Sequence, residues 1–309
     1  MITALASGDE LVLVGTAAGE MLCVNYFEPT TKDAVDLFDC IEWRQHVTLA
    51  AITCVAKAGN EVLAGSADGT VVLLDADTGV ELRRYAMEGA VVAATWHHKV
   101  FLVSDHVGNV LGVDKFRLRW KKRMDMGGAP VHVQSMASVR LLDAENQLCA
   151  YVAMSLGGLE LLLTHEGHVL CRLPSPTVIT SIVPTIDGGR VFCGGANGTL
   201  YELISVGKGS ALALQLCSVA TVPFAISSLH MTATSVLLAG STAPVLYSIT
   251  LASMAATAIS TPQAPAFVAQ LPSSEEHATA MLLVLDDQET LCKVAVPSND
   301  VDAKVEASA

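Results

Sequence analysis

Charge and aromatic side chains are both scarce in this sequence. Only 16% of its 309 residues are Asp, Glu, Lys or Arg, and only 5% are Phe, Trp or Tyr. Basic residues are the scarcer sign, 18 against 31 acidic ones, for a net charge of −13. Nucleic-acid binding is driven by clustered Lys and Arg, so this balance argues against a direct nucleic-acid partner. With 51% of residues hydrophobic, the chain has ample material for a core, and disorder as the default state is excluded.

Other absences narrow the reading further. From Gly209 to Ser274 there is no Asp, Glu, Lys or Arg. A membrane span needs about 20 consecutive apolar residues. Ser, Thr and Gln interrupt every such window here, and Pro223, Pro244, Pro262 and Pro265 punctuate it, so strands separated by turns are expected instead. None of the eight cysteines forms a C-x-x-C pair, which points to reduced, mostly buried thiols. The N-terminus lacks a basic segment, and Asp9 and Glu10 stop its apolar run, so no secretory signal is expected. A cytoplasmic or nuclear location follows. There is no G-x-x-x-x-G-K-[ST] loop, no strand–G-x-G-x-x-G–helix unit and no G-x-S-x-G elbow. No catalytic residue and no cofactor is expected. His165-Glu166-Gly167-His168 with Cys171 offers metal-ligand types, but the spacing fits a turn better than a zinc site.

What is present is a recurring pattern. Glu61-Val62-Leu63-Ala64-Gly65-Ser66-Ala67-Asp68-Gly69-Thr70-Val71-Val72-Leu73-Leu74-Asp75 reads as a strand, a tight Asp-Gly turn and a second strand. The pattern recurs at Leu11–Asn25, Val100–Asp114, Ala150–Thr164 and Arg190–Ile204, with weaker copies at Ser235–Ile249 and Met281–Val296. Turn positions fall at 19, 69, 108, 158, 198, 243 and 289. Seven units of about 44 residues, each with room for four strands, are the signature of a β-propeller.

The copy at Ala64–Asp75 resembles the WD40-repeat family, with Leu74-Asp75 standing where Trp-Asp is usual; Asp114 matches the same aspartate. The Gly-His dipeptide of that family occurs once, at Gly167-His168, and is missing from the other repeats. The resemblance implies a seven-bladed, all-β WD40-like propeller over residues 1–309, acting as a non-catalytic scaffold or adaptor for other protein subunits. Asn109–Asp114 followed by Arg119-Trp120-Lys121 also resembles a quinoprotein-like strand ending in tryptophan, which keeps open a ligand-binding or enzymatic propeller with its site at the channel.

Strand order was read from the same alignment. Ile2–Ala6 and Ile52–Ala56 are expected as second strands of their blades, and Leu82–Met87, Leu118–Met124 and His168–Leu173 as first strands lining the channel. Blade one would then lack its innermost strand. The alternating segment Asp300–Ala307, within the acidic tail 297–309, is expected to close the ring there.

Two candidate contact regions stand out. Residues 115–123 hold six of the 18 Lys and Arg, with Arg117, Arg119, Lys121 and Lys122 beside Phe116, Leu118 and Trp120; Arg83 and Arg84 belong to the preceding repeat. One basic and one apolar face would suit an acidic or phosphorylated peptide, although charge runs also serve simply as solvated strands. Trp96-His97-His98 falls on a turn expected at the same rim. The uncharged span 209–274 is a candidate flank for a stable neighbour, or a Ser/Thr-coated surface.

Overall fold

The computed structural model describes residues 1–7, 11–25, 41–97, 99–126, 129–141, 147–207, 212–232, 234–261, 265–270, 281–286 and 291–295. All regular structure in it is β. Blade 1 comprises β1 (Ile2–Ser7), β2 (Leu11–Thr16), β3 (Glu20–Asn25) and β4 (Ile41–His46). Blade 2 comprises β5 (Ile52–Ala58), β6 (Glu61–Ser66), β7 (Thr70–Asp75) and β8 (Glu81–Ala86). Blade 3 comprises β9 (Val91–His97), β10 (Val100–Asp105), β11 (Asn109–Val113) and β12 (Leu118–Arg123). A small hairpin, β13 (Asp125–Met126) and β14 (Ala129–Pro130), leads to blade 4: β15 (Val133–Leu141), β16 (Gln147–Met154), β17 (Gly158–Leu163) and β18 (Val169–Pro174). Blade 5 is β19 (Ile179–Pro184), β20 (Val191–Gly195), β21 (Thr199–Val206) and β22 (Ala213–Thr221). Blade 6 is β23 (Ser228–Met231), β24 (Ser235–Ala239), β25 (Val245–Thr250) and β26 (Ala256–Ser260). A last sheet holds β27 (Pro265–Gln270), β28 (Met281–Asp286) and β29 (Leu291–Ala295).

Each blade is an antiparallel meander in chain order. Its first strand packs against the first strands of its neighbours: β1 on β5, β5 on β9, β9 on β15, β15 on β19 and β19 on β23. β27 lies against both β23 and β1. First strands therefore line the centre and fourth strands form the outer edge.

Three expectations are corrected by this topology. Among the described residues there are six four-stranded blades, not seven, and the seventh repeat unit forms a sheet of three strands. The strand order was read out of phase: Ile2–Ser7 and Ile52–Ala58 are innermost, whereas Glu81–Ala86, Leu118–Arg123 and Val169–Pro174 are outermost. Blade 1 consequently takes all four strands from residues 2–46, so no C-terminal strand is needed to complete it. The segment Asp300–Ala307 lies outside the described residues.

Burial explains the phase. Middle strands are buried on both faces, as in β2, β3 and β7, and read as continuous apolar runs. The outer strands β8 and β12 are mostly exposed and carry the charges. The core is distributed between blades. Leu13, Met21 and Cys23 of blade 1 pack with Ile52, Val62 and Leu74 of blade 2, and similar clusters fill the next four seams.

Glycine sets the spacing of these seams. A Cβ on Gly15 would lie 2.5 Å from Ile52 Cγ2, one on Gly65 2.5 Å from Val91 Cγ1, and one on Gly194 2.6 Å from Ile226 Cγ2. In each case a second strand gives up its side chain so that a branched residue of the next blade can seat. The same glycines' carbonyls accept hydroxyl bonds from the inner strand: Thr3 to Gly15 at 3.2 Å, Thr53 to Gly65 at 3.1 Å and Thr180 to Gly194 at 3.1 Å. Thr53 also donates to the Val91 carbonyl at 2.6 Å, which ties blade 2 to blade 3.

Overpacking a filled core costs about 1–3 kcal/mol. Gly65→Ala is therefore expected to lower the denaturation midpoint by a matching amount in urea unfolding; an unchanged midpoint would contradict the tight seam.

Candidate functional site

The candidate residues divide among an outer strand, a channel mouth and a cavity among three turns. Asp114 organises the outer strand. Its Oδ1 accepts from the backbone N–H groups of Phe116 and Arg117, each at 2.8 Å, and its Oδ2 accepts from Arg119 Nε at 2.7 Å. Burial alone would raise this carboxyl, but those three donors outweigh it and hold it below the ordinary 3.8. Asp75 closes the same turn in blade 2, accepting from Thr78 N at 3.0 Å and Thr78 Oγ1 at 2.8 Å. The aspartate at the end of the third strand is thus a turn-closing group.

The basic run is not one continuous face. The register shifts between Gly112 and Val113, which bulges the strand at Arg119. Arg119 folds back onto Asp114, and Lys121 pairs with Glu88 in the connection from blade 2. Trp120 and Lys122 turn the other way, toward blade 4. The Trp120 indole N–H donates to the Thr164 carbonyl at 2.9 Å, and the ring covers Gly167 so closely that a Cβ there would clash. Lys122 Nζ donates to the Gly167 carbonyl at 3.4 Å. It also opposes the upward push that burial gives the Glu160 carboxyl, as does Arg172 Nε at 2.7 Å from Glu160. Phe116 and Leu118 face solvent, 69% and 45% exposed, where an apolar inner face was expected.

Trp43 repeats the Trp120 arrangement two seams earlier, between blades 1 and 2. Its indole N–H donates to the Ala76 carbonyl at 2.7 Å, over Gly79. These tryptophans clasp neighbouring blades, and Trp120 is half-buried in that position. Arg84 is engaged by Glu81 at 2.6 Å and by the Val47 carbonyl at 3.0 Å. Arg83 and Arg117 are exposed and form no ion pair among the described residues.

Trp96 lies near the end of β9 and is 43% exposed. It borders a cavity of about 370 Å³ at the channel, shared with Thr95, Met136, Ser138, Ile182 and Pro184 from three inner strands. Thr95 and Ser138 are hydrogen-bonded through their hydroxyls at 3.2 Å. No inner strand carries an Asp or Glu. His230 on β23 has its pKa lowered to about 4 by burial, so it is neutral near pH 7. His97 ends β9, but its side chain lies outside the described residues, as does the whole of His98. Burial also pushes the Cys54 and Cys149 thiols up to about 12, which keeps them protonated. Among the described residues no group of His, Cys, Asp and Glu could hold a metal; His168 and Glu166 approach each other at 3.4 Å, both exposed.

Lys99, in the turn that follows Trp96, contributes to a second cavity. It lines a cavity of about 320 Å³ between blades 2 and 3, together with Asn60, Glu61, Lys115, Phe116 and the Asp114–Arg119 pair. These residues come from the first hairpin turn of each blade and from the last turn of blade 3. Both turn types lie on the same side of the disc, because successive antiparallel strands return the chain to that side. Trp96 stands at this side too, so blade 3 presents Trp96, Lys99, Lys115, Phe116 and Arg117 on one face.

No family model matches the sequence, and neither does any curated protein. Solved structures do match. The β-propeller domain of Cps50 (Swd1) from Myceliophteria thermophila superposes with a TM-score of 0.75 at 13% identity, covering 96% of this chain and 96% of that one. The fold is a WD40-like β-propeller. A computationally designed protein, Ika8, is also similar, with a TM-score of 0.65 at 17% identity over 94% of this chain and 85% of that one. This WD40-like propeller contains no helix, among the described residues, long and apolar enough to cross a membrane.

The Asp114 turn has a signature in pH. Its folded pKa lies below the ordinary value, so its contribution is whole above about pH 4 and is lost as the pH falls through the folded value. Asp114→Asn is expected to cost about 1–3 kcal/mol near neutrality, the loss for a buried hydrogen-bonded charge. The gap to wild type should close on acidification; a gap constant from pH 7 to pH 2 would contradict this role.

Proposed function

We propose that this chain is a non-catalytic docking platform, a scaffold or adaptor subunit that holds protein partners within a larger assembly. The observation that carries the reading is the face of blade 3. Trp96 and Phe116 are exposed there, with Lys99, Lys115 and Arg117 around them. Aromatic side chains and Arg are the residue types that dominate interface energies. Rigid turns hold them, so little ordering is needed on binding. The inner strands provide no carboxylates for acid–base work in the channel, which favours a platform over an enzymatic propeller.

The basic members of this face suit an acidic or phosphorylated protein segment. The outer strands of blades 5 and 6, β22 and β26, carry no charged side chain and suit a more permanent neighbour. The fold alone does not name a function, so the reading rests on this surface and not on the structural neighbours.

The test separates folding from contact. Trp96→Ala with Phe116→Ala should cost about 1–3 kcal/mol, mostly from the buried half of Trp96, and leave the ring folded. Native mass spectrometry of the protein isolated from its own cells should show a stoichiometric partner with wild type and its loss with the double variant. A wild-type chain that always isolates alone, or a variant that keeps its partner in full, would overturn the proposal.

A further inference from the structure

We infer that the cavity between blades 2 and 3 is a carboxylate-binding subsite: it takes a Glu or Asp side chain of an acidic linear protein segment, with an apolar neighbour of that residue resting on Phe116. The inference rests on the platform reading and narrows it to one partner chemistry.

The geometry is that of a small, specific recess. Its volume, about 320 Å³, is at the low end for ligand pockets, which run from about 300 to 1,000 Å³. That is room for a pair of side chains and not for a cofactor. Three turns from two blades converge on it, so no single strand could be mistaken for the site.

Its charge is nearly balanced, and the imbalance is informative. Lys99, Lys115 and Arg119 line it against Glu61 and Asp114. Arg119 and Asp114 satisfy each other at 2.7 Å, and Asp114 is further committed to two backbone donors. Lys115 reaches Glu61 only at 3.3 Å, and an ammonium has three donors, so it retains donors for a ligand. Lys99 is exposed and forms no ion pair among the described residues. One cation in excess matches a single carboxylate. A phosphate carries about −1.5 to −2 charges and calls for more uncommitted cations than this recess offers.

Phe116 supplies the second half of the recognition. It is 69% exposed, and Lys115 Nζ lies 5.4 Å from its ring centroid. A cation held over one part of the ring leaves an apolar surface for a ligand side chain beside the ammonium that would bind the carboxylate. The rest of the chain makes the spot selective. A net charge of −13 repels acidic segments elsewhere, so an acidic partner is accepted only where the local sign is reversed.

The probe is a fluorescein-labelled Glu-Leu-Glu peptide titrated into the full chain by fluorescence anisotropy, with a Gln-Leu-Gln peptide and a phosphoserine-Leu-phosphoserine peptide as companions. The Gln peptide is expected to bind roughly tenfold more weakly or worse, the change that about 1.4 kcal/mol produces. Lys99→Glu should weaken the Glu peptide by a similar factor, and Lys99→Gln by less. Arg44→Glu, on the outer strand of blade 1, should leave it unchanged. Equal binding of the Glu and Gln peptides, indifference to Lys99→Glu, or an equal loss with Arg44→Glu would overturn the subsite. A phosphoserine peptide that binds much more tightly than the Glu peptide would overturn the carboxylate assignment. Lys99→Glu protein that still holds its partner in native mass spectrometry would remove this subsite and leave the platform standing.

Discussion

Neighbouring blades meet where a glycine lets a branched side chain sit against backbone, and the rest of the structure depends on that approach. Gly15, Gly65 and Gly194 occupy the same place in three second strands, and Ile52, Val91 and Ile226 fill the space above them. A sheet in this ring is buried on both faces, so a charge on a middle strand needs a partner, as Glu160 has in Arg172 and Glu202 in Arg190. Each seam holds its own apolar cluster. The threonine hydroxyls that donate to the glycine carbonyls add direction to packing that would otherwise be non-directional.

The distribution of charge follows from this. Charged residues excluded from the seams gather on outer strands and in turns. Most of the basic run 115–123 is then spent locally: Arg119 on Asp114, Lys121 on Glu88, Lys122 on a backbone carbonyl, and Trp120 on the next blade. What remains for a partner is set by the turns and not by the run itself. Lys99, Lys115, Phe116 and Arg117 share a face with Trp96 because turns that alternate along a meander return to the same side of the disc. A rigid ring with adaptable side chains on one face is suited to holding partners without changing its own shape.

Much of this fold was legible in the residues. The strand–turn–strand units stand where the pattern put them, and the turn glycines Gly19, Gly69, Gly108 and Gly198 all have positive φ; the fourth turn uses Gly157. The phase within each blade was not legible from periodicity, because a four-strand repeat can be cut at any strand. The stronger signal was burial: strands reading Glu81-Leu82-Arg83-Arg84 or Arg119-Trp120-Lys121-Lys122 carry charges that an inner strand buried on both sides could not accommodate. Counting repeats also did not count strands, and among the described residues the last unit supplies three where four were expected. The clasp of Trp120 over Gly167 was not legible because that glycine lies in another blade; the matching pair of Trp43 and Gly79 shows the same relation only in three dimensions. The cavity at Lys99 was hidden for the same reason, since its walls are far apart in sequence.

The central claim is that blade 3 presents the contact face of a ring that does not rearrange. Hydrogen–deuterium exchange of the chain, alone and in its native assembly, tests it most directly. The account predicts new protection confined to one side of the disc, at residues 95–99 and 114–118, with the strand amides of the seams unchanged. Protection at the opposite turns, 67–69 and 106–108, or a change spread through the inner strands, would contradict it.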